Sequence, residues 1–392
     1  MWLAGAREAC LRELRYLLGH PWDLALVTWF PALVLAVTWA IFSPGVATRL
    51  PIAVVDEDHS PGSRRLVLAI DAVRSSRIAQ RPATLEDAWP LVRRREVYAV
   101  VHIPADWERR SRRGDRLPVV LYTNEQFHAA GSTIAPDVIG AVANVAAQDA
   151  LDGLAHLGGG FSGAQHRAQA VRVELRTLYA PQQSFERVLA GTFLPVMLHL
   201  FVLGSAAYAI GREFRDRTAR DWLDAAGGSI TAALAGKLLP LVAASFAIGL
   251  AIIGWFAGYR GWSAGGSLLL WSAALFTLLA ACCAIPAMFV GLTGTLRVAL
   301  AGTAVLNVTA VAFAGLSYPA VSMTTAAKVW TAFLPFTYYF DIQQGQWHMG
   351  SSAIHSALDF AVLWVVFIAA PLIVALPRLR ALCYTPAAWG RR

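Results

Sequence analysis

The chain has 392 residues, 57% of them hydrophobic, and a formal net charge of +8. Its basic residues are scattered and form no stripe with interleaved aromatic residues, so the sequence argues against nucleic acid as a partner. None of its four cysteines lies between positions 44 and 187, and no cysteine and histidine spacing typical of a metal site occurs. We therefore expect neither a disulfide framework in that region nor a metal or other cofactor.

Residues 1–22 predict a cytoplasmic amphipathic helix that lies along the inner leaflet of a membrane. Its apolar residues recur every three or four positions, at Leu3, Ala6, Cys10, Leu14 and Leu17. A merely solvated leader is the alternative. Residues 23–43 form the first transmembrane helix, which we expect to be an uncleaved anchor because its apolar stretch is longer than a signal-peptide core.

Residues 44–187 predict an extracytoplasmic domain of mixed α/β structure. Apolar runs indicate strands at Pro51–Asp56, Tyr98–Pro104 and Leu117–Thr123, and helical spacing or capping signals indicate helices at Arg64–Arg74, from Thr84 onward, at Ser132–Leu157 and at Gln165–Leu178. The acidic run from Asp56 to His59 is interpreted as a turn that caps the next helix rather than as a ligand site, since Ser60-Pro61-Gly62 follows it.

Residues 188–377 contain five more apolar segments, so the predicted fold is an α-helical membrane protein with six transmembrane helices and the α/β domain inserted after the first. Short connections rich in arginine place both termini and the tail, residues 378–392, in the cytoplasm. The spans hold few ionisable residues, among them His199 and Asp359, which we interpret as polar residues at helix contacts. An ion-driven carrier is therefore not favoured.

No ATP-binding loop is found in the sequence. The nearest candidate surrounds Gly236 and Lys237, but Thr231 stands where the first glycine is needed and Leu238 replaces the magnesium-binding serine or threonine. The chain is not expected to be an enzyme. Any ATP hydrolysis would belong to a partner subunit.

The order of one span, a large outer domain and five spans resembles the permeases of type-2 ABC exporters. Local strings support the resemblance: LPIAVVDEDHSPGSRRL and VYAVVHIPADWERRSRRGD in the outer domain, GREFRDRTARDWLDAAGGSITAALAGKLLP after the second span, and AGLSYP and LPFTYYFDIQQG near the end. Arg217 is a departure, because a glycine often precedes the threonine there. We therefore expect a more continuous helix at this position. The resemblance implies two permease subunits around a shared path and two ATPase subunits below.

The cytoplasmic loop at 211–237 is the predicted site of coupling to the ATPase. Phe214, Thr218 and Trp222 recur every four residues among charged neighbours, which predicts an exposed aromatic stripe that fits a partner's groove. Gly227-Gly228 ends this helix and Ser229 caps the next one. The alternative is an amphipathic loop lying on the bilayer.

A second unusual segment, residues 313–340, predicts a re-entrant turn that closes the outer end of the path. Pro319 interrupts an apolar run just after Gly315, and aromatic residues crowd around Pro335. An ordinary aromatic belt at the outer membrane surface is the alternative.

The sequence thus predicts the permease subunit of an ABC exporter in the cytoplasmic (inner) membrane, moving an unidentified substrate outward. Expected partners are an ABC ATPase subunit, a second permease in a homodimer or heterodimer, membrane lipid, and a periplasmic adaptor docking on the outer domain. The alternative function is a non-transporting membrane receptor or assembly protein that binds through its outer domain.

Overall fold

The computed structural model describes residues 1–42, 48–112, 118–123, 128–156, 185–262, 264–313 and 323–390. The chain folds into two compact units. Met1–Ser43 and Glu186–Arg392 together form what we call the helical unit, and Pro44–Phe185 forms the α/β unit. The predicted helix at Gln165–Leu178 lies outside the described residues, as do Gly315 and Pro319.

The chain begins with three helices, α1 (Trp2–Gly19), α2 (Pro21–Val27) and α3 (Trp29–Phe42). The α2 and α3 helices meet at a bend of 46°. Thr28 lies at the bend, where its hydroxyl donates a hydrogen bond of 2.6 Å to the carbonyl of Leu24. Pro31 follows in the first turn of α3, where a proline is tolerated but has no N–H to offer the preceding turn. The local sequence therefore accounts for the break.

The α/β unit is built on a four-stranded sheet. In chain order its elements are β1 (Leu50–Asp56), α4 (Pro61–Asp71), β2 (Ser76–Gln80), α5 (Leu85–Arg93), β3 (Ala99–Ile103), α6 (Trp107–Arg112), β4 (Val120–Thr123) and α7 (His128–His156). The strand order is β2-β1-β3-β4, with β1 parallel to β2 and β3 and with β4 antiparallel to β3. The small mixed sheet confirms the predicted α/β character, while β2 is a strand that the sequence analysis missed.

Helices cover both faces of this sheet. Ile52 and Val54 of β1 share a buried cluster with residues of α4 and α7, whereas Ala53 and Val55 pack with Ala88 of α5. Successive side chains of a strand point to opposite faces, so a central strand buried on both sides reads as the continuous apolar run seen here.

The interpretation of the acidic turn is confirmed. One carboxylate oxygen of Asp56 accepts hydrogen bonds from the backbone N–H groups of Asp58 and His59, both at 3.1 Å. The hydroxyl of Ser60 caps α4 by accepting from the N–H of Ser63 at 3.0 Å. These polar groups are therefore occupied in shaping the turn.

The remaining helices of the helical unit are α8 (Phe185–Arg215), α9 (Ala219–Ala225), α10 (Ile230–Gly254), α11 (Leu268–Thr293), α12 (Leu296–Phe313), α13 (Thr325–Ala332), α14 (Pro335–Gln344), α15 (Ala353–Val362) and α16 (Ala370–Cys383). A π-helical segment, Leu363–Ala369, joins α15 to α16. Gly227 and Gly228 adopt positive φ between α9 and α10, and Ser229 caps α10, as predicted.

Four helices among the described residues are long and apolar enough to cross a membrane: Gly191–Arg215, Ile230–Tyr259, Leu268–Thr293 and Ala353–Cys383. The bent pair of α2 and α3 makes a fifth if it is one span. The predicted span near Val298 contains a shorter apolar helix, Leu296–Ala310, and the residues that follow it, 314–322, lie outside the described ones. The protein is a multi-pass membrane protein, and the count of six spans stays a prediction.

The α1 helix packs tightly along the start of α10. A side chain at Gly236 would place its Cβ only 2.2 Å from the carbonyl oxygen of Ala6, so the two backbones can approach this closely only because residue 236 is glycine. The buried face of α1 consists of Gly5, Ala9, Glu13 and Leu17. The predicted helix is therefore present. Leu3 and Leu14 of the predicted apolar stripe are exposed, so contact of this stripe with the membrane stays a prediction.

Candidate functional site

Six charged side chains come together where α1 and the start of α2 meet the end of α8 and the start of α10. We call them the ion network: Arg12, Glu13, Asp23, Arg212, Glu213 and Lys237. Three are cationic types and three are anionic types. The network flanks the loop between α8 and α10, residues 216–229, which contains α9.

Glu213 is held from three sides. The guanidinium of Arg12 donates to both of its carboxylate oxygens, at 2.8 and 2.9 Å, in a bidentate pair. The Lys237 ammonium donates to Oε1 at 2.5 Å, and the Thr218 hydroxyl donates to Oε2 at 2.6 Å. Burial lowers the pKa of Arg12, but the hydrogen bond and charge of Glu213 outweigh that effect and raise it, so Arg12 stays protonated.

Glu13 occupies the equivalent place on α1. Lys237 also donates to its Oε2, at 2.7 Å, and Arg212 contacts both of its oxygens, at 2.5 Å to Oε1. Lys237 therefore bridges two carboxylates that lie 200 positions apart in the sequence. The N-terminal helix is locked by this bridge to both ends of the loop.

Asp23 extends the network to α2. It accepts a hydrogen bond from the Tyr16 hydroxyl at 2.9 Å and lies 4.0 Å from the guanidinium of Arg212. That guanidinium also stacks 3.5 Å above the ring of Tyr16. Burial, followed by the hydrogen bond to Asp23, raises the pKa of Tyr16, so its hydroxyl stays a donor.

Four of the six residues of the ion network are almost completely removed from solvent, whereas the side chains of Arg12 and Asp23 are 28% and 20% exposed. Glu13, Arg212, Glu213 and Lys237 are each 4% exposed or less. Charges at this depth are tolerated when they are paired and hydrogen-bonded, and removal of one partner of such a pair costs about 3–5 kcal/mol because the other charge is stranded. The network therefore demands a single arrangement of α1, α8 and α10.

The helix is not continuous through Arg217. The α8 helix ends at Arg215, Arg217 adopts a left-handed φ of 63°, and α9 starts at Ala219. Our expectation of a more continuous helix is therefore wrong. Two hydrogen bonds between Thr218 and Glu213 stabilise the break. The backbone N–H of Thr218 donates to the backbone carbonyl of Glu213 at 2.9 Å, and the Thr218 hydroxyl donates to the Glu213 carboxylate.

The predicted aromatic residues, Phe214 at the end of α8 and Trp222 in the loop, do not form an exposed stripe. Phe214 is 1% exposed and Trp222 is fully buried, with its indole N–H donating to the carbonyl of Ala233 at 3.0 Å. The helix breaks at Arg217, so Phe214 and Trp222 belong to different helices, and both rings are buried in the helical unit. The predicted exposure is wrong for this reason. The solvent-facing side of the loop is charged instead: Arg215, Asp216, Arg217, Arg220, Asp221 and Asp224.

Of the three predicted outer-gate residues, Gly315, Pro319 and Pro335, only Pro335 is among the described residues. It is buried in the first turn of α14, whose Tyr339 accepts a hydrogen bond from the indole of Trp271 at 3.2 Å. Trp271 in turn stacks on Trp347, with ring centroids 5.1 Å apart. Pro335 thus starts a helix packed into an aromatic core, and its role in gating stays a prediction.

Glu13 and the pairing role of Lys237 were not predicted from the sequence. Two signals could have indicated them. Lys237 is a lone cation in an apolar segment, and Glu13 continues the four-residue spacing of the small residues Gly5 and Ala9. An ionisable residue in either place calls for a partner of opposite charge. Within the described ranges, no group of three or more histidine, cysteine or acidic residues could hold a metal ion.

Comparison with known proteins identifies one family. The family model described as "ABC-2 family transporter protein" matches residues 21–376, which is most of the chain. No curated protein matches the sequence significantly.

Proposed function

Because the chain belongs to the ABC-2 family of transporter proteins, and is thus a membrane permease rather than a P-loop ATPase, we propose that it is the membrane subunit of an ABC exporter. It moves a substrate outward across the cytoplasmic membrane, with both of its termini in the cytoplasm. A separate subunit hydrolyses ATP. The observation that carries this proposal is the buried ion network beside the loop at 216–229.

The loop is the part of the chain that receives the ATPase in this proposal. Its charged outer side offers Arg220, Asp221 and Asp224 to a partner, while Trp222 and Phe214 support it from inside. Thr218 links the loop to Glu213. A displacement of the loop is passed to α1 and α10, because buried ion pairs cannot slide without stranding a charge.

The α1 helix lies on the inner leaflet in this arrangement. The side of α1 and α2 away from the ion network exposes Leu3, Leu18 and Trp22, with exposed fractions of 77%, 73% and 82%. Apolar residues at such positions bury favourably in the headgroup and acyl boundary, where tryptophan is enriched. Membrane lipid is thus a partner of α1.

Two copies of the chain, or this chain and a homologous permease, enclose the path for the substrate. The segment at 313–340, with Gly315, Pro319 and Pro335, closes its outer end. A periplasmic adaptor docks on the α/β unit, which faces outside. These assignments are supported by the sequence of the segments and by the charge distribution of the short loops.

The test is association with a candidate ABC ATPase subunit produced together with this chain. We expect the two proteins to co-purify in detergent and Arg220→Glu to weaken the complex several-fold, since the substitution reverses a charge on the outer side of the loop. The matched control is Arg260→Glu, an exposed arginine six residues beyond the far end of α10, which should bind as the wild type does. Equal loss in both variants, or no complex at all, would contradict the proposal.

A further inference from the structure

The α/β unit contains an open pocket to which three arginines contribute. It measures about 570 Å³ and lies where β1 and β2 begin, beside the end of α4. Arg49, Arg74 and Arg77 line it together with Asp71 and Ser76. We call it the arginine pocket.

The backbone holds the three arginines at one place. The N–H of Arg49 donates to the carbonyl of Arg74 at 3.1 Å, and the next residue, Leu50, donates to the carbonyl of Ser75 at 2.9 Å. Arg77 pairs with Pro51 in the β1–β2 register. The positions of these residues are therefore set by the sheet itself rather than by a free loop.

No carboxylate neutralises these guanidinium groups. In the part of the chain that the structure describes, Arg49, Arg74 and Arg77 form no ion pair. The single acid of the pocket, Asp71, is already used, because its Oδ1 accepts the backbone N–H of Ile78 at 3.1 Å. With three cations and one anion, the pocket carries a net charge of +2.

A buried hydroxyl in the pocket also awaits a partner. Ser76 is only 2% exposed, and its Oγ has no hydrogen bond within the described residues. Ser75, which does not line the pocket, is equally buried and its Oγ also has no hydrogen bond within the described residues. What distinguishes Ser76 is its place in the pocket wall, where its hydroxyl is an available donor. A hydroxyl can donate to an anionic oxygen, as an arginine fork does.

Arg49 additionally holds an uncommon backbone conformation, with φ of 57°. A bulky residue there costs free energy that a glycine would not. The end of α4 explains a preference for cations nearby through the helix dipole. It does not explain the unpaired hydroxyl of Ser76.

We propose that the arginine pocket binds a phosphate group. Planar guanidinium forks match the tetrahedral oxyanion bidentately, three of them offset its charge, and the Ser76 hydroxyl completes the set of donors. The group could be a free phosphate or the headgroup of a phospholipid. The second source is worth testing because only residues 44–48 separate Arg49 from the predicted first transmembrane helix.

The experiment is calorimetric titration of the full chain in detergent with inorganic phosphate. We expect Arg49→Ala, Arg74→Ala and Arg77→Ala together to weaken binding at least about 100-fold, since several charge-assisted hydrogen bonds are lost. The matched control removes the same charge from exposed arginines outside the pocket, through Arg64→Ala, Arg81→Ala and Arg93→Ala, and should bind as the wild type does. Ser76→Ala alone should weaken binding about tenfold.

A second arm identifies the source of the phosphate. Native mass spectrometry of the same variants with added phosphatidate or phosphatidylcholine measures retained lipid. If phosphatidate is retained selectively and this retention is lost only in the arginine-pocket variant, the pocket binds a phospholipid headgroup. If the pocket binds inorganic phosphate but retains no phosphatidate, its ligand is a soluble anion. Equal behaviour of the pocket and control variants with both probes would overturn the proposal. Neither measurement requires transport or an ATPase, so the outcome is separate from that of the proposed function.

Discussion

Arginine has opposite roles in the two units of this protein. In the ion network of the helical unit, Arg12 and Arg212 are paired with carboxylates and largely buried. In the arginine pocket of the α/β unit, Arg49 and Arg74 are exposed and have no ion pair among the described residues. An arginine that is paired with a carboxylate fixes the position of the helices that carry the pair, whereas an arginine without an ion pair is available to a ligand. The difference teaches that the count of basic residues says little until their partners are known.

The largest expected effect comes from removing one charge of the ion network. Glu213→Gln leaves Arg12 without its carboxylate partner and Lys237 with Glu13 alone, so we expect the free energy of unfolding to fall by about 3–5 kcal/mol. Thermal unfolding in detergent measures it. The comparison variant is Arg74→Ala in the arginine pocket, which should stay within about 0.5 kcal/mol because it breaks no ion pair among the described residues.

Equal destabilisation by Glu213→Gln and Arg74→Ala would contradict the contrast between the paired arginines of the ion network and the unpaired arginines of the arginine pocket. So would a mild Glu213→Gln effect together with a severe Arg74→Ala effect. A double variant adds a further check. Lys237→Met combined with Glu213→Gln should be less destabilising than the sum of the single changes, because the two side chains are in direct contact.

The second prediction concerns the packing that brings Glu13 to its partners. Gly236→Ala places a Cβ 2.2 Å from the carbonyl of Ala6, so α1 and α10 must separate, at a cost of about 1–3 kcal/mol. The matched control is Gly254→Ala on the same helix, where a Cβ meets nothing within 4 Å. That change should be neutral or stabilising by up to about 1 kcal/mol.

Limited proteolysis sharpens this test. If α1 loses its packing in Gly236→Ala, trypsin should cleave at Arg12 faster than in the wild type or in Gly254→Ala, since Arg12 is then released from Glu213. Unchanged cleavage in both variants would mean that the close contact at Gly236 does not hold α1 in place.

Local signals in the sequence were enough for much of the fold. Strand β1 is a continuous apolar run, Thr84 and Ser229 are capping residues, and Gly227-Gly228 ends a helix, so neighbours within a few positions fix all of them. Strand β2 was missed because its sequence, SRIAQ, has neither a clear apolar run nor alternation. Its strand conformation comes from pairing with β1.

The ion network could not be predicted in the same way. Glu13 and Lys237 meet only after the helices pack, because 224 positions separate them in the sequence. The error at Phe214 and Trp222 has a related cause. A spacing of four predicts one face only within one helix, and the helix break at Arg217 separates these two residues into different helices.

The third prediction concerns the underside of the loop. Trp222→Phe keeps most of the buried ring but removes the indole N–H, which leaves the carbonyl of Ala233 without this donor. We expect a loss of about 1 kcal/mol in thermal unfolding. Trp222→Ala should cost about 3–5 kcal/mol, because it creates a cavity in the core. A smaller loss for alanine than for phenylalanine would show that the ring lies outside the core.

The smallest effect distinguishes two arginines that share one strained backbone conformation. Arg217 beside the ion network and Arg49 in the arginine pocket have φ of 63° and 57°. Glycine at either position relieves about 1–2 kcal/mol of strain but adds unfolded-state entropy worth about 0.5–1 kcal/mol. We therefore expect Arg217→Gly and Arg49→Gly to stabilise the protein only slightly, by about 0.5 kcal/mol, in thermal unfolding. Valine, which disfavours positive φ, should destabilise at both positions.

The two glycine variants should nevertheless differ in phosphate binding, because only Arg49→Gly removes a guanidinium from the pocket and weakens that binding. If Arg217→Gly weakens phosphate binding equally, charge anywhere on the chain would suffice, and the contrast between paired and available arginines would fail.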